Sequence, residues 1–213
     1  MDVAIAGGHG KIGLHLGALL SGRGDRVRGL IRDASQAEEL RRAGVEPVVC
    51  DLEGDDDVVE AVRGAEAVVF AAGAGPGSGA ERKRTMDLGG ALKLIDAAKT
   101  AGVRRYLMVS AMGAAEPPAE GGDVYGEYLR AKAEADRALR ASGLDYTIVR
   151  PGRLTDEPAG GRISVGEQLG RGEVSRADVA ATLAAVLVAQ NTIGATFEML
   201  SGETPIEEAV TGL

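Results

Sequence analysis

The 213-residue chain predicts a doubly wound, mainly parallel α/β sheet with helices on both faces, and three observations carry that expectation. Short apolar runs alternate with helical stretches from end to end, the pattern of parallel strands joined by crossover helices. In AIAGGHGKIG, glycine recurs at every third position (Gly7, Gly10, Gly13), straight after the first apolar run and before the first helical one. The glycine- and proline-rich stretches between runs are too short for domain linkers and read as loops over a site. Residues 1–213 are therefore expected to form one dinucleotide-binding domain, with a small substrate-side region within 151–213.

Each element has its own signal. Asp2 to Ala6 reads as a buried strand, and the helix from Lys11 carries Ile12, Leu16, Leu19 and Leu20 on one face. Val27 to Ile31 is the second strand. Ser35 and Glu38 have the spacing of a capping box, which opens a helix ending at Gly44 before a third strand, VEPVVC. Asp55 to Asp57 suit the positive N-terminus of another helix. Ala67 to Ala71 is the fourth strand, Glu81 to Thr100 a long helix, and Arg105 to Val109 the fifth strand. A helix over 126–141, a sixth strand at Tyr146 to Val149, a helix capped by Ser175 and a seventh strand at Thr196 to Leu200 complete the pattern.

Composition narrows the partners. Net charge is -8, which disfavours a nucleic-acid binder, because neutralising phosphates needs a basic surface. The single cysteine, Cys50, fits a reducing compartment. No secretory pattern opens the chain, and no apolar run nears the roughly 18 residues of a membrane span. A cytoplasmic protein, monomeric or a homodimer, is the expectation.

A doubly wound sheet binds ligands beyond the carboxyl ends of its strands, so each loop after a strand is a candidate site segment. In the first, Gly7, Gly10 and Gly13 let the backbone turn beneath a pyrophosphate, while the amides around Lys11 and Ile12 open a helix. His9 lies in the turn, where its backbone matters more than its ring; with only His15 besides, no metal site is expected. In the second loop, GLIRD, arginine accommodates the extra phosphate of NADP and an acid the ribose of NAD. Arg32 precedes Asp33 at the strand end, which favours NADP over NAD. In the third, CDLEG, Asp51 and Leu52 suit an adenine; in the fourth, Ala71, Ala72 and Gly73 suit a nicotinamide ribose.

The fifth loop carries chemistry. Ser110 follows a strand, and Tyr128 and Lys132 lie four residues apart, on one face of a helix. A tyrosine pKa is ordinarily about 10, and a nearby ammonium favours the phenolate. Ser110 can then hydrogen-bond a substrate carbonyl or hydroxyl while Tyr128 passes the proton. Without a ligand, the same residues make a half-buried tyrosine beside a surface lysine.

With AGGHGKIG, LIRD, CDLEG, AVVFAAGAG, TMDLGGALKLIDAAKTAGVRRYLMVSA, YLRAK, YTIVRPGRL, VSRADVA and GETPIEEA in place, the chain resembles an atypical, extended-like short-chain dehydrogenase/reductase. More narrowly it is similar to the small bacterial NAD(P)-binding proteins of NmrA-like and sugar-epimerase-like type. The resemblance covers essentially the whole chain. It implies a Rossmann-like fold with Ser110, Tyr128 and Lys132 as a catalytic triad: Tyr128 the acid–base, Lys132 lowering its pKa and binding the nicotinamide ribose, Pro151 beside the nicotinamide. Three departures stand out. Ala6 precedes the glycines where the family often has threonine, Asp87 lies where many members carry an asparagine, and the part after Pro151 is short for a nucleotide-sugar site. The expected function is an NADP(H)-dependent oxidoreductase acting on a small carbonyl or hydroxyl compound. The alternatives are a cofactor-sensing regulator, an NAD(P)-dependent epimerase/dehydratase, and a flavin or quinone reductase.

Overall fold

The computed structural model describes residues 1–75, 77–119 and 123–213. Its centre is a nine-stranded sheet of order β11-β8-β10-β6-β5-β4-β1-β2-β3. The strands are β1 (Asp2–Ala6), β2 (Arg26–Ile31), β3 (Glu46–Val49), β4 (Ala67–Phe70), β5 (Arg105–Val109), β6 (Asp145–Pro151), β8 (Arg162–Gly166), β10 (Thr196–Ser201) and β11 (Thr204–Pro205). From β3 across to β10 all pairings are parallel, and only β8 runs antiparallel to its two neighbours. The fold class is the one the alternating pattern predicts.

The central strands are apolar because both faces are covered. Val3, Ile5, Val69, Leu107 and Val109 point into one core, with α1 (Lys11–Gly22), α7 (Arg176–Val188) and α8 (Ile206–Thr211). Ala4, Ala6, Val68, Phe70, Tyr106 and Met108 point into the other, with α3 (Val58–Val62), α5 (Ala91–Ala101) and α6 (Val124–Ala141). Successive residues thus serve opposite cores, the period-two geometry of a strand. The chain winds from β1 out to β3, then crosses back to place β4 on the other side of β1. That reversal opens a crevice at the carboxyl ends of β1 and β4, where doubly wound sheets bind ligands.

Several expectations need correction. Four strands were not foreseen, all beyond Pro151: β8, β11, and a separate parallel pair of β7 (Arg153–Thr155) with β9 (Glu173–Ser175). The Ser35 capping box does not form. Asp33 instead accepts from Ser35 N (2.8 Å) and opens a 3₁₀ turn ahead of α2 (Ala37–Arg42), because its carboxylate reaches that amide first. The long helix is in three parts: α4 (Ala80–Arg82), a π-helical segment Lys83–Gly90, and α5. Ser175 caps α7 as expected, accepting from Asp178 N at 3.0 Å. The Asp178 carboxylate in turn accepts from the Gly160 and Gly161 amides and so ties the loop after β7 to α7.

Candidate active site

A cleft of about 1130 Å³ lies over the crevice. Of the residues singled out from sequence, Gly7, His9, Gly10, Lys11, Ile12, Arg32, Asp51, Leu52, Ala71, Ala72, Gly73, Ser110, Tyr128 and Lys132 line it. Gly13 and Pro151 do not. Gly13 lies under the turn, where an added Cβ would fall 2.3 Å from Gly7 O, and Pro151 is buried at the end of β6, its carbonyl accepting from Met112 N. Two of the glycine- and proline-rich stretches read as loops over a site, GAGPGSGAERKR and GAAEPPAEGGD, include Pro76 and Glu120 to Gly122, which lie outside the described residues. Gly75, Gly77, Ser78 and Gly79 of the first loop do line the cleft.

The glycine turn is shaped for close approach. Gly7 has a φ of +83°, and its added Cβ would sit 2.7 Å from the Ala72 backbone. Gly10 caps α1 without a side chain, and Leu14 is the first residue whose amide finds a helical partner, on Gly10 O. The amides before it keep the donor capacity of a helix N-terminus, where an anion is favoured. No acidic residue occupies the first turn of α1. The His9 ring meets Glu39 at 2.7 Å.

At the β2 end, Arg32 is exposed and has no carboxylate within ion-pair distance among the described residues. Asp33 turns away into its cap, and the Ser35 amide that it accepts holds its pKa below the ordinary value. Asp51 accepts from Glu53 N, and Leu52 packs under Gly90. Glu53 escaped the sequence reading although CDLEG was in view. It accepts from Arg82 at 3.0 and 3.2 Å and from Thr85 Oγ1 at 2.6 Å. Burial works to raise its pKa, but the hydrogen bonds from Thr85 and Arg82, with the charges of Arg82 and Arg32, hold it below the usual value.

The opposite end gathers Ser110, Tyr128, Lys132 and Asp87. Lys132 is buried, donates to Val109 O at 3.1 Å and faces Asp87 Oδ1 at 3.4 Å. Its Nζ lies 5.9 Å from the Tyr128 ring centre. Asp87, from the π-helical segment, is 1% exposed and also accepts from Ala74 N at 3.2 Å. The expectation that Lys132 lowers the Tyr128 pKa is not met in this arrangement. Burial, then the charges of Asp87, Tyr125 and Asp136, push the phenol well up, because the ammonium is already matched by Asp87.

One further residue lies beneath. Tyr128, Lys132 and Asp136 recur every four residues on α6, a spacing that places Asp136 on the same face. Asp136 is fully buried and accepts from Arg150 Nε and Nη2 at 3.0 and 2.8 Å. Burial raises its pKa against the pull of Arg150. Ser110 lies near enough to help lower that pKa, yet its Oγ makes no hydrogen bond of ordinary geometry among the described residues. Asp136 Oδ1 and Asp87 Oδ1, the latter facing Lys132, are also buried without a hydrogen bond of ordinary geometry among the described residues.

The cleft's cations are mostly matched. Lys11 and Arg176 share Asp156, Arg82 pairs with Glu53, and Lys132 with Asp87. Arg32 and Lys83 alone have no carboxylate within ion-pair distance among the described residues.

A switch-point crevice, a glycine turn and free helix amides define an NAD(P)-binding protein of the Rossmann type. A family model described as NAD(P)H-binding matches residues 7–190, and the chain belongs to that family. Over 215 residues, and the full length of both chains, it is 40% identical to the uncharacterized sugar epimerase YhfK of Bacillus subtilis. It superposes with a TM-score of 0.94 on a Bacillus halodurans structure, 40% identical and covered in full on both sides, which is provisionally named as an NAD-dependent epimerase/dehydratase. The oxidoreductase ylbE of Lactococcus lactis follows, with a TM-score of 0.88 and 30% identity, covering 100% of this chain and 96% of that one. The resemblance read from the motifs is borne out at the level of an NAD(P)-binding, oxidoreductase- and epimerase-like family. No helix among the described residues is long and apolar enough to cross a membrane.

Proposed function

We propose that the chain is an NADP(H)-dependent oxidoreductase acting on a small carbonyl or hydroxyl compound, residues 1–213 working as one unit with the part after Pro151 on the substrate side. The observation that carries the reading is the meeting of Tyr128, Lys132 and Ser110 in the same cleft as the glycine turn. The residues fit a dinucleotide: the cradle at Gly7 admits no Cβ, and among the described residues the amides opening α1 have no side-chain cap and Arg32 has no carboxylate within ion-pair distance. The turn and the first amides of α1 would hold the pyrophosphate, Arg32 the 2′-phosphate, Asp51 and Leu52 the adenine. Ala71, Ala72 and Gly73 would underlie the nicotinamide ribose beside Lys132. The cofactor would supply the hydride chemistry at the substrate carbon.

The chain's own groups handle the proton. A phenol is protonated at neutral pH, its pKa being ordinarily about 10, so in the reducing direction Tyr128 is able to donate to the substrate oxygen. Ser110 Oγ, which makes no hydrogen bond of ordinary geometry among the described residues, is available to hydrogen-bond that oxygen. Lys132 and Asp87 form a nearly neutral pair behind the phenol, which limits the cost of burying either charge. A proton-donating side chain contributes about 10²–10⁴-fold in rate. Tyr128→Phe is therefore expected to lose turnover on that scale while keeping NADPH affinity; wild-type turnover in the variant would defeat the mechanism.

A further inference from the structure

The electrostatics at the reactive end narrow the substrate. Three consecutive cations span the end of α4 and the start of the π-helical segment, and two are consumed: Arg82 by Glu53 and Arg84 by Glu127. Lys83 between them faces the cleft and has no carboxylate within ion-pair distance among the described residues. Its Nζ donates to Gly75 O at 2.9 Å and lies 5.1 Å from the centre of the Tyr128 ring. An ammonium has three donors, and Gly75 is the single hydrogen-bond acceptor it finds among the described residues. A chain of net charge -8 repels anions at long range, so an unmatched lysine beside the reacting phenol is a local reversal of that field. Exposed apolar side chains also line the cleft. Tyr125 is 61% exposed with its ring 6.0 Å from that of Tyr128, and Val124 is exposed beside it.

We propose that Lys83 anchors an anionic group of the substrate, and that the substrate is a flat, apolar-bodied carbonyl compound bearing a carboxylate. This rests on the oxidoreductase reading and deepens it by naming the substrate class. Gly75 fixes the ammonium by one donor, leaving the others for the carboxylate. Tyr125 covers one face of the body, and Tyr128 meets the carbonyl. The anion and the reacting carbonyl are thereby held at opposite ends of one small molecule.

The test uses 4-formylbenzoate and its neutral counterpart 4-methylbenzaldehyde. Each is titrated calorimetrically into wild type, Lys83→Met and Lys83→Arg, with and without NADP⁺, and each is assayed for turnover with NADPH. A charge-assisted hydrogen bond predicts about tenfold tighter binding of the acid by wild type. Lys83→Met should lose that preference with NADPH affinity and the neutral aldehyde's binding unchanged, and Lys83→Arg should keep it. Equal affinities, failure of the acid to bind at millimolar concentration, or a preference surviving in Lys83→Met would overturn the assignment. Failure of the oxidoreductase reading looks different: NADPH does not bind, or Tyr128→Phe turns over normally, while the discrimination by Lys83 is still read as binding.

Discussion

Asp87→Asn removes the negative charge that is ion-paired with Lys132 and also acts on Tyr128, and its consequences can be worked from the geometry. At 3.4 Å the Lys132–Asp87 attraction is about 5 kcal/mol for an effective dielectric of 20. Asparagine still accepts from Ala74 N, so the main loss is the charge. The Lys132 ammonium, 4% exposed in its side chain, then keeps Val109 O but no anion closer than Asp136. Leaving a buried charge uncompensated costs about 3 kcal/mol. Denaturant unfolding at neutral pH should therefore show a loss of that order. The second consequence has a definite sign. Asp87 raises the Tyr128 pKa, so its removal lowers it, and the alkaline fall in reductase rate, where the phenol loses its proton, should move to lower pH. A shift of about one pH unit corresponds to about 1.4 kcal/mol of altered charge interaction. Lys83, Lys132, Tyr125 and Asp136 also face the phenol and are unchanged by the substitution. Unaltered stability together with an unmoved alkaline limb would refute the claim that Asp87 sets the state of this site.

Other substitutions probe the frame. Gly13→Ala places a Cβ 2.3 Å from Gly7 O and must displace the turn; dinucleotide affinity should fall at least tenfold, checked by NADPH fluorescence titration. Asp178→Ala strips the Gly160 and Gly161 amides and the Ser175 hydroxyl of their acceptor, and should cost about 1–3 kcal/mol in denaturant unfolding with NADPH affinity little changed. Asp136→Asn leaves Arg150 without its buried counterion; stability should fall by about 3 kcal/mol, and hydrogen exchange should show loosening at the base of α6.

What was legible in the sequence follows the physics of burial. β1, β4 and β5 are short, almost wholly apolar strands covered on both sides, so composition alone marks them. β8 leaves three of its five residues half exposed, and β7 and β9 are three residues each. Their strand character comes from a partner far along the chain, which no local pattern records. The capping box at Ser35 failed because Asp33, two residues earlier, competes for the same amide. The π-helical segment keeps an amphipathic pattern that reads as ordinary helix, yet it brings Asp87 to the cleft. The loops that line the cleft were legible because each is a strand end, and Tyr128 with Lys132 because their spacing is helical. Asp136 could have been found by extending that spacing one more turn. The partners of the cleft's charges were not legible: Asp87 for Lys132, Glu53 for Arg82 and Asp156 for Lys11 all come from other elements.

The central claim is that the glycine turn and Arg32 hold NADPH, and one titration addresses it directly. NADPH and NADH are added to wild type and to Arg32→Ala, and binding is followed by the nicotinamide fluorescence. A charge-assisted contact to the 2′-phosphate predicts that NADPH binds wild type about tenfold or more tighter than NADH, and that Arg32→Ala removes that margin while leaving NADH affinity unchanged. Equal binding of the two nucleotides by wild type, or a preference for NADPH that survives in Arg32→Ala, would contradict it.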